Sequence, residues 1–174
     1  IVSATPLRPE FGLDSGFGEY LVPERKQRFA DDTTRTAIDL MVTQVADGRP
    51  GLVWVHYFDP HGPYNPPARF AREFKMDDAT RALLAERQFA ERARRPTGQW
   101  NELELGVDAY DAEIAFVDDQ IERLLRRAEE AGWLADSTVV AVLGDHGEGL
   151  NQHGVPGHGL VWEEQLHVPM LILA

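Results

Sequence analysis

Apolar residues along this chain follow two different periods, and their alternation sets the order of elements. Residues 138–144 and 168–174 contain near-continuous apolar runs, Val139 to Leu143 in the first and Met170 to Leu173 in the second. Runs of this length beside glycine or proline predict strands buried on both faces. Leu52 to Phe58, rich in β-branched and aromatic residues and stopped by Asp59-Pro60, predicts another strand, and Ile1 to Ala4 the tail of one more. Ile38, Met41, Val42 and Val45 recur instead at helical spacing, predicting a helix from Thr33 to about Ala46 with Asp32 as its cap and Gly48 at its end. A second helix is expected to open at Asp78 and end before Pro96. A third runs from Glu102 or Val107 to Ala131, with Ile114, Val117, Ile121, Leu124 and Leu125 as one apolar stripe and Gly132 placed for a left-handed C-terminal cap. Residues 6–23 and 60–67 read as loops, and residues 162–166 as a short turn. Strands alternating with helices predict a mostly parallel α/β sheet.

The run from Val139 to Leu143 matters most because of where it stops. Beyond Gly144 stand Asp145 and His146, two metal-capable side chains beside Gly147 and Gly149. Ligands of open α/β sheets sit beyond strand carboxyl ends, which makes this pair the first candidate for chemistry. A bland alternative has Asp145 capping a turn and His146 bonded locally. Five of the six histidines fall at loop positions or strand ends, His56, His61, His146, His153 and His158, although the intervals among the last three fit no helix-borne zinc motif.

Composition narrows the classes. The 174 residues suit one domain with a real core, and 43% hydrophobic with 26% charged residues is ordinary for a soluble globular protein. A net charge of −12 disfavours a general nucleic-acid surface but leaves room for a local anion pocket. With no cysteine, disulfides, thiolate zinc sites and a cysteine nucleophile are excluded within these residues. No run approaches the roughly 20 apolar residues that span a bilayer, and no targeting segment is visible. The chain starts at Ile1 and ends at Ala174 inside apolar segments, so it is expected to be part of one catalytic domain, truncated at both ends.

Several ordered motifs give the pair a context: Phe11 to Phe17, Trp54 to Tyr64 with Asp59-Pro60-His61-Gly62-Pro63-Tyr64, Tyr110 to Asp118, Gly144 to Glu148, and His158 to Pro169. Over nearly its whole length the chain resembles the sulfatase branch of the alkaline phosphatase superfamily. The resemblance implies a three-layer α/β/α sandwich with a mostly parallel sheet, here partial. It implies a sulfuric ester hydrolase using a divalent cation, usually calcium in that family. Ligand type alone leaves magnesium, manganese and zinc open, since Asp145 offers a hard oxygen and His146 a borderline nitrogen. By the same resemblance Asp145 and His146 are the later metal-ligand pair, His61 contacts the sulfate or the nucleophile, and His158 binds sulfate oxygens and protonates the leaving alcohol.

The residues around these have plainer readings. His56 reads as a satisfied core histidine, and His153 as packed behind the loop. His167 reads as structural, and Asp118 as a tie from helix to loop. Asp59 is expected to start the Asp-Pro turn, and Glu148 is open between a partner role and solvent.

The chain also departs from the family pattern. The family's formylglycine nucleophile and early acidic pair are not found, and Asp31-Asp32, lying before a helix, is in the wrong place for the latter. This chain alone is therefore expected to be inactive. The alternatives are a phosphonate monoester or phosphodiester hydrolase or a phosphoethanolamine transferase of the same superfamily, or a sulfatase-like binding module without catalysis. The expected partner is a sulfate ester, or a phosphate or phosphonate ester.

Overall fold

A computed structural model describes residues 1–24, 27–44, 51–62, 64–74, 106–150, 152–154 and 157–174. They form two compact units, Ile1–Gly62 with Glu113–Thr138, and Pro63–Ala112 with Val139–Ala174.

The first unit is built around helix α1 (Ala30–Gln44), which buries Ala30, Thr33, Thr34, Ala37, Ile38 and Met41 along one face. The helix begins three residues before the expected Thr33. Asp32 is not its cap but lies in the first turn, where a carboxylate meets the positive end of the helix dipole and pairs with Arg35 at 2.6 Å. The backbone N–H of Ala30 is instead met by the Asp59 carboxylate, a partner far away in sequence. That tertiary cap is why local residue preferences misplaced the start.

Helix α3 (Val107–Glu130), reached after the short α2 (Ala68–Glu73) of the second unit, contributes its residues from Glu113 onward. It ends as expected at Gly132. With φ of 78°, Gly132 donates to Glu129 O while Trp133 donates to Ala128 O, the Schellman pattern. The buried face is rotated from the expected apolar stripe: Ile114 is exposed and Val117, Ile121, Leu124 and Leu125 are half-buried, while Glu113, Phe116, Gln120 and Ala128 are buried. Polar contacts with α1 explain the rotation, because Thr34 Oγ1 donates to Gln120 O at 3.5 Å and Trp133 Nε1 donates to Met41 O at 2.8 Å. Asp118, expected to tie helix to loop, is exposed.

No strand is assigned to Leu52–Phe58, contrary to expectation. Ile1 N donates to Trp54 O (2.7 Å) and His56 N donates to Ile1 O (2.9 Å), a parallel pairing about Val55 only one bridge long among the described residues. Ala4 makes a single antiparallel bridge to Gln27.

In the second unit, β1 (Val140–Leu143) and β2 (Met170–Leu173) pair antiparallel in the register Val140 to Leu173 and Leu143 to Met170. This two-stranded sheet is the assigned sheet among the described residues, so the expected parallel order does not extend to it. A continuous apolar run speaks for burial on both faces, which either strand direction allows; direction is set by the connection. Within the described residues β2 is exposed along its length. Phe70 is the buried residue of α2, a helix the apolar pattern did not signal. The short α4 (Glu163–Leu166) fills the expected turn. The helix expected at residues 78–95 lies outside the described residues.

Asp59 is only 8% exposed, and its Oδ2 has no hydrogen-bond partner. Burial raises its pKa from 3.8 to about 6, against the opposing pull of backbone N–H groups. The folded state thus holds this proton more tightly than the unfolded chain. The associated stability is complete below pH 3.8 and is lost as pH rises through about 6. Ionisation costs the fold about 3 kcal/mol. Asp59→Asn is expected to flatten the fall in melting temperature between about pH 4 and 6. An unchanged pH profile would contradict this.

Candidate metal and anion site

Asp145 and His146 follow β1 directly, and two loops bring His158 back to them. Gly147 N–H donates to Gln165 O at 2.8 Å, which holds the strand-end loop against α4. The approach leaves no room for a side chain, since a Cβ on Gly147 would lie 2.1 Å from Glu164 O. Gln165, 2% exposed, then fixes the second loop on either side of His158: its Oε1 accepts Leu160 N–H at 2.7 Å and its Nε2 donates to Gly157 O at 3.4 Å. Gly149 N–H also donates to Gly157 O at 3.0 Å. As a result the rings of His146 and His158 lie 3.9 Å apart, inclined by 31°. Asp145, His146, His158, Leu160 and Gln165 line one open pocket of about 260 Å³.

The pair has the chemistry of a metal ligand set. His146 Nδ1 lies 2.9 Å from Gly147 O, and a carbonyl only accepts, so Nδ1 carries the proton and Nε2 the lone pair. Nε2 lies 3.8 Å from Asp145 Oδ1, near enough for one cation to touch both at ligand distances of about 2.0–2.6 Å. The two side chains are 41% and 76% exposed, open to further ligands. Among the described residues no group of three or more His, Cys, Asp or Glu could hold a metal ion by itself.

His158 is supported from behind by Glu148. The Glu148 carboxylate, 8% exposed, accepts from Tyr64 Oη at 3.3 Å and from Gly149 N–H at 3.1 Å, and its Oε2 lies 3.4 Å from His158 Nδ1. Glu148 is therefore a partner rather than a solvent-facing residue. Tyr64 packs edge-on against Tyr110, whose pKa is raised first by burial and then by the Glu148 charge.

His61 belongs to the first unit, where its ring stacks on Phe58 at 4.4 Å and Nδ1 lies 2.7 Å from Gly62 O. By the same logic it presents Nε2 as the lone-pair nitrogen. His56 is satisfied as expected: Ser3 Oγ donates to His56 O at 2.6 Å and so accepts from His56 Nδ1 at 2.9 Å. His153 lies 4.5 Å from Trp162 and 3.5 Å from Glu164, while His167 is exposed and pairs with Glu163.

Gln165 and Tyr64 were missed by sequence reasoning. An amide between two glutamates and a leucine gives no local sign of bridging a loop, and Tyr64 entered only as a motif letter.

With this geometry in place, the comparisons with known proteins agree. The family described as Sulfatase matches residues 8–174, and the chain belongs to that family. It is 25% identical to the multifunctional alkaline phosphatase superfamily protein PehA of Trinickia caryophylli, over 89% of this chain and 36% of that protein. It is also 25% identical to human iduronate 2-sulfatase, over 80% of this chain and 29% of that protein. The chain thus spans about a third of the length of these relatives. Among solved structures, yidJ of Bacteroides fragilis, a protein assigned to the sulfatases, superposes with a TM-score of 0.63 at 23% identity, covering 85% of this chain and 31% of that one. Ps i-CgsB, solved with a bound neocarrahexaose, gives 0.57 at 16% identity, covering 95% and 35%. The fold is accordingly α/β of the alkaline phosphatase-like kind. Among the described residues no helix is long and apolar enough to cross a membrane.

Gly147→Ala should displace the strand-end loop from α4 and cost about 1–3 kcal/mol, since its methyl group meets backbone rather than a yielding side chain. Melting of the variant at unchanged temperature would contradict this packing.

Proposed function

We propose that this chain is the carboxyl-side part of the catalytic domain of a metal-dependent sulfuric ester hydrolase, within a three-layer α/β/α sandwich whose central sheet is mostly parallel. The observation that carries the proposal is the meeting of Asp145, His146 and His158 around one pocket at the end of β1. Asp145 and His146 would hold a divalent cation, calcium by family likeness, with magnesium, manganese or zinc allowed by ligand type. When bound, such an ion polarises an ester oxygen and orients the nucleophile. His158 supplies the remaining electrostatics from this chain: its imidazolium attracts the sulfate oxygens and gives a proton to the departing alcohol. His61 is kept from the family likeness as a contact to the nucleophile or, with Nε2 protonated as well, to the anion. The nucleophile and the remaining ligands come from outside these residues, so the chain alone is inactive.

A second reading within the alkaline phosphatase superfamily, to which the relative PehA belongs, is hydrolysis of phosphonate monoesters or phosphodiesters at the same site. Parallel turnover of aryl sulfates and aryl phosphate diesters by the full-length protein separates the two, and a strong preference for the diesters would reverse the order.

In that protein Asp145→Ala is expected to lose the bound cation and about 10²-fold or more in turnover, whereas Asp118→Ala keeps the metal. Metal analysis showing equal loss from both variants would refute the ligand assignment. His158→Ala should slow esters with poor leaving groups by about 10²–10⁴-fold and activated aryl esters much less. Equal slowing across leaving groups would remove the proton-donor role.

A further inference from the structure

We propose that Glu148 is a positioning residue that fixes the tautomer and ring orientation of His158, an inference that rests on the role given to His158 above. Glu148 follows the metal-ligand pair by two residues, yet its side chain turns away from solvent. Tyr64 Oη and Gly149 N–H hold the carboxylate from two sides, at 3.3 and 3.1 Å, so it cannot swing toward the pocket without giving up both bonds. Its Oε2 then faces His158 Nδ1 at 3.4 Å. A carboxylate only accepts, so this contact keeps a proton on Nδ1. Proton delivery then falls to Nε2. Tyr64, Tyr110 and Glu148 thereby form a support for a ring whose backbone is already held by Gln165.

The chemistry is consistent with this division. As the nucleophile supplied from outside these residues bonds to sulfur and the S–O bond of the ester breaks, the Nε2 proton passes to the leaving oxygen, and the ring becomes neutral with Nδ1–H still bonded to Glu148. Before that transfer the ring is cationic, and the buried carboxylate stabilises it. A carboxylate behind a histidine has this effect at metal sites, where losing it typically costs about 10–100-fold.

The test uses the full-length protein with ¹⁵N-labelled histidine, His158→Ala identifying the His158 resonances. In the parent and in Glu148→Gln, whose carbonyl can still accept, the neutral ring is expected to be protonated on Nδ1. In Glu148→Met it shifts toward the Nε2–H form. With esters of poor leaving groups, Glu148→Met is expected to lower kcat about 10-fold with KM within about twofold, Glu148→Gln to restore part of the loss, and Glu148→Met to add nothing in the His158→Ala background. An unchanged tautomer in Glu148→Met, or an equal further loss of kcat without His158, overturns the inference. Should Glu148→Met not fold, Glu148→Leu takes its place, and an unchanged tautomer in that variant likewise overturns the inference. If His158→Ala leaves turnover intact while the tautomer shift occurs, the catalytic role of His158 fails and the positioning contact stands.

Discussion

Everything at this site depends on how closely one backbone approaches another. Gly147 donates to Gln165 O across a gap that excludes even a methyl group, which brings the end of β1 onto α4. The residue that accepts this bond is also the one whose amide bridges Gly157 and Leu160. One position therefore couples the loop carrying Asp145 and His146 to the loop carrying His158. The 3.9 Å between the two imidazoles follows from that coupling, not from any attraction between rings.

Within each unit, local hydrogen bonds decide which nitrogen of a histidine carries the proton. His146 and His61 each give Nδ1–H to the carbonyl of the next residue, Gly147 and Gly62, which leaves Nε2 as the nucleophilic atom. His158 faces a carboxylate instead, and its local electrostatics differ accordingly. What stands behind Nδ1 therefore distinguishes His146 from His158, a neutral carbonyl in one case and a carboxylate in the other.

What could be read from the sequence was what is local. The end of the valine-rich run, the Gly132 cap and the Asp145-His146 pair follow from adjacent residues and short periods, and ordered motifs identified the family. The start of α1 did not follow, because Asp59 supplies its cap from another segment. The buried face of α3 was misjudged in part because Thr34 of α1 bonds to Gln120 and Trp133 bonds back to Met41, and hydrophobic spacing contains no record of such bonds. Strand direction in β1 and β2 was equally hidden, since an apolar run does not record the polarity of the chain, and the expected burial on both faces is not seen in β2. Glu148 and Gln165 show the same limit within the site: their roles arise from contacts that exist only after the loops have closed.

Gln165 has a consequence of another kind. The group that fixes both sides of His158 is an amide, which neither gains nor loses a proton under biological conditions. The two bonds that Gln165 makes on either side of His158 are therefore insensitive to acidity, whereas an acid in the same place would make them respond to pH. Of the two side chains that hold His158, Glu148 acts through its charge and Gln165 through shape and hydrogen bonding alone.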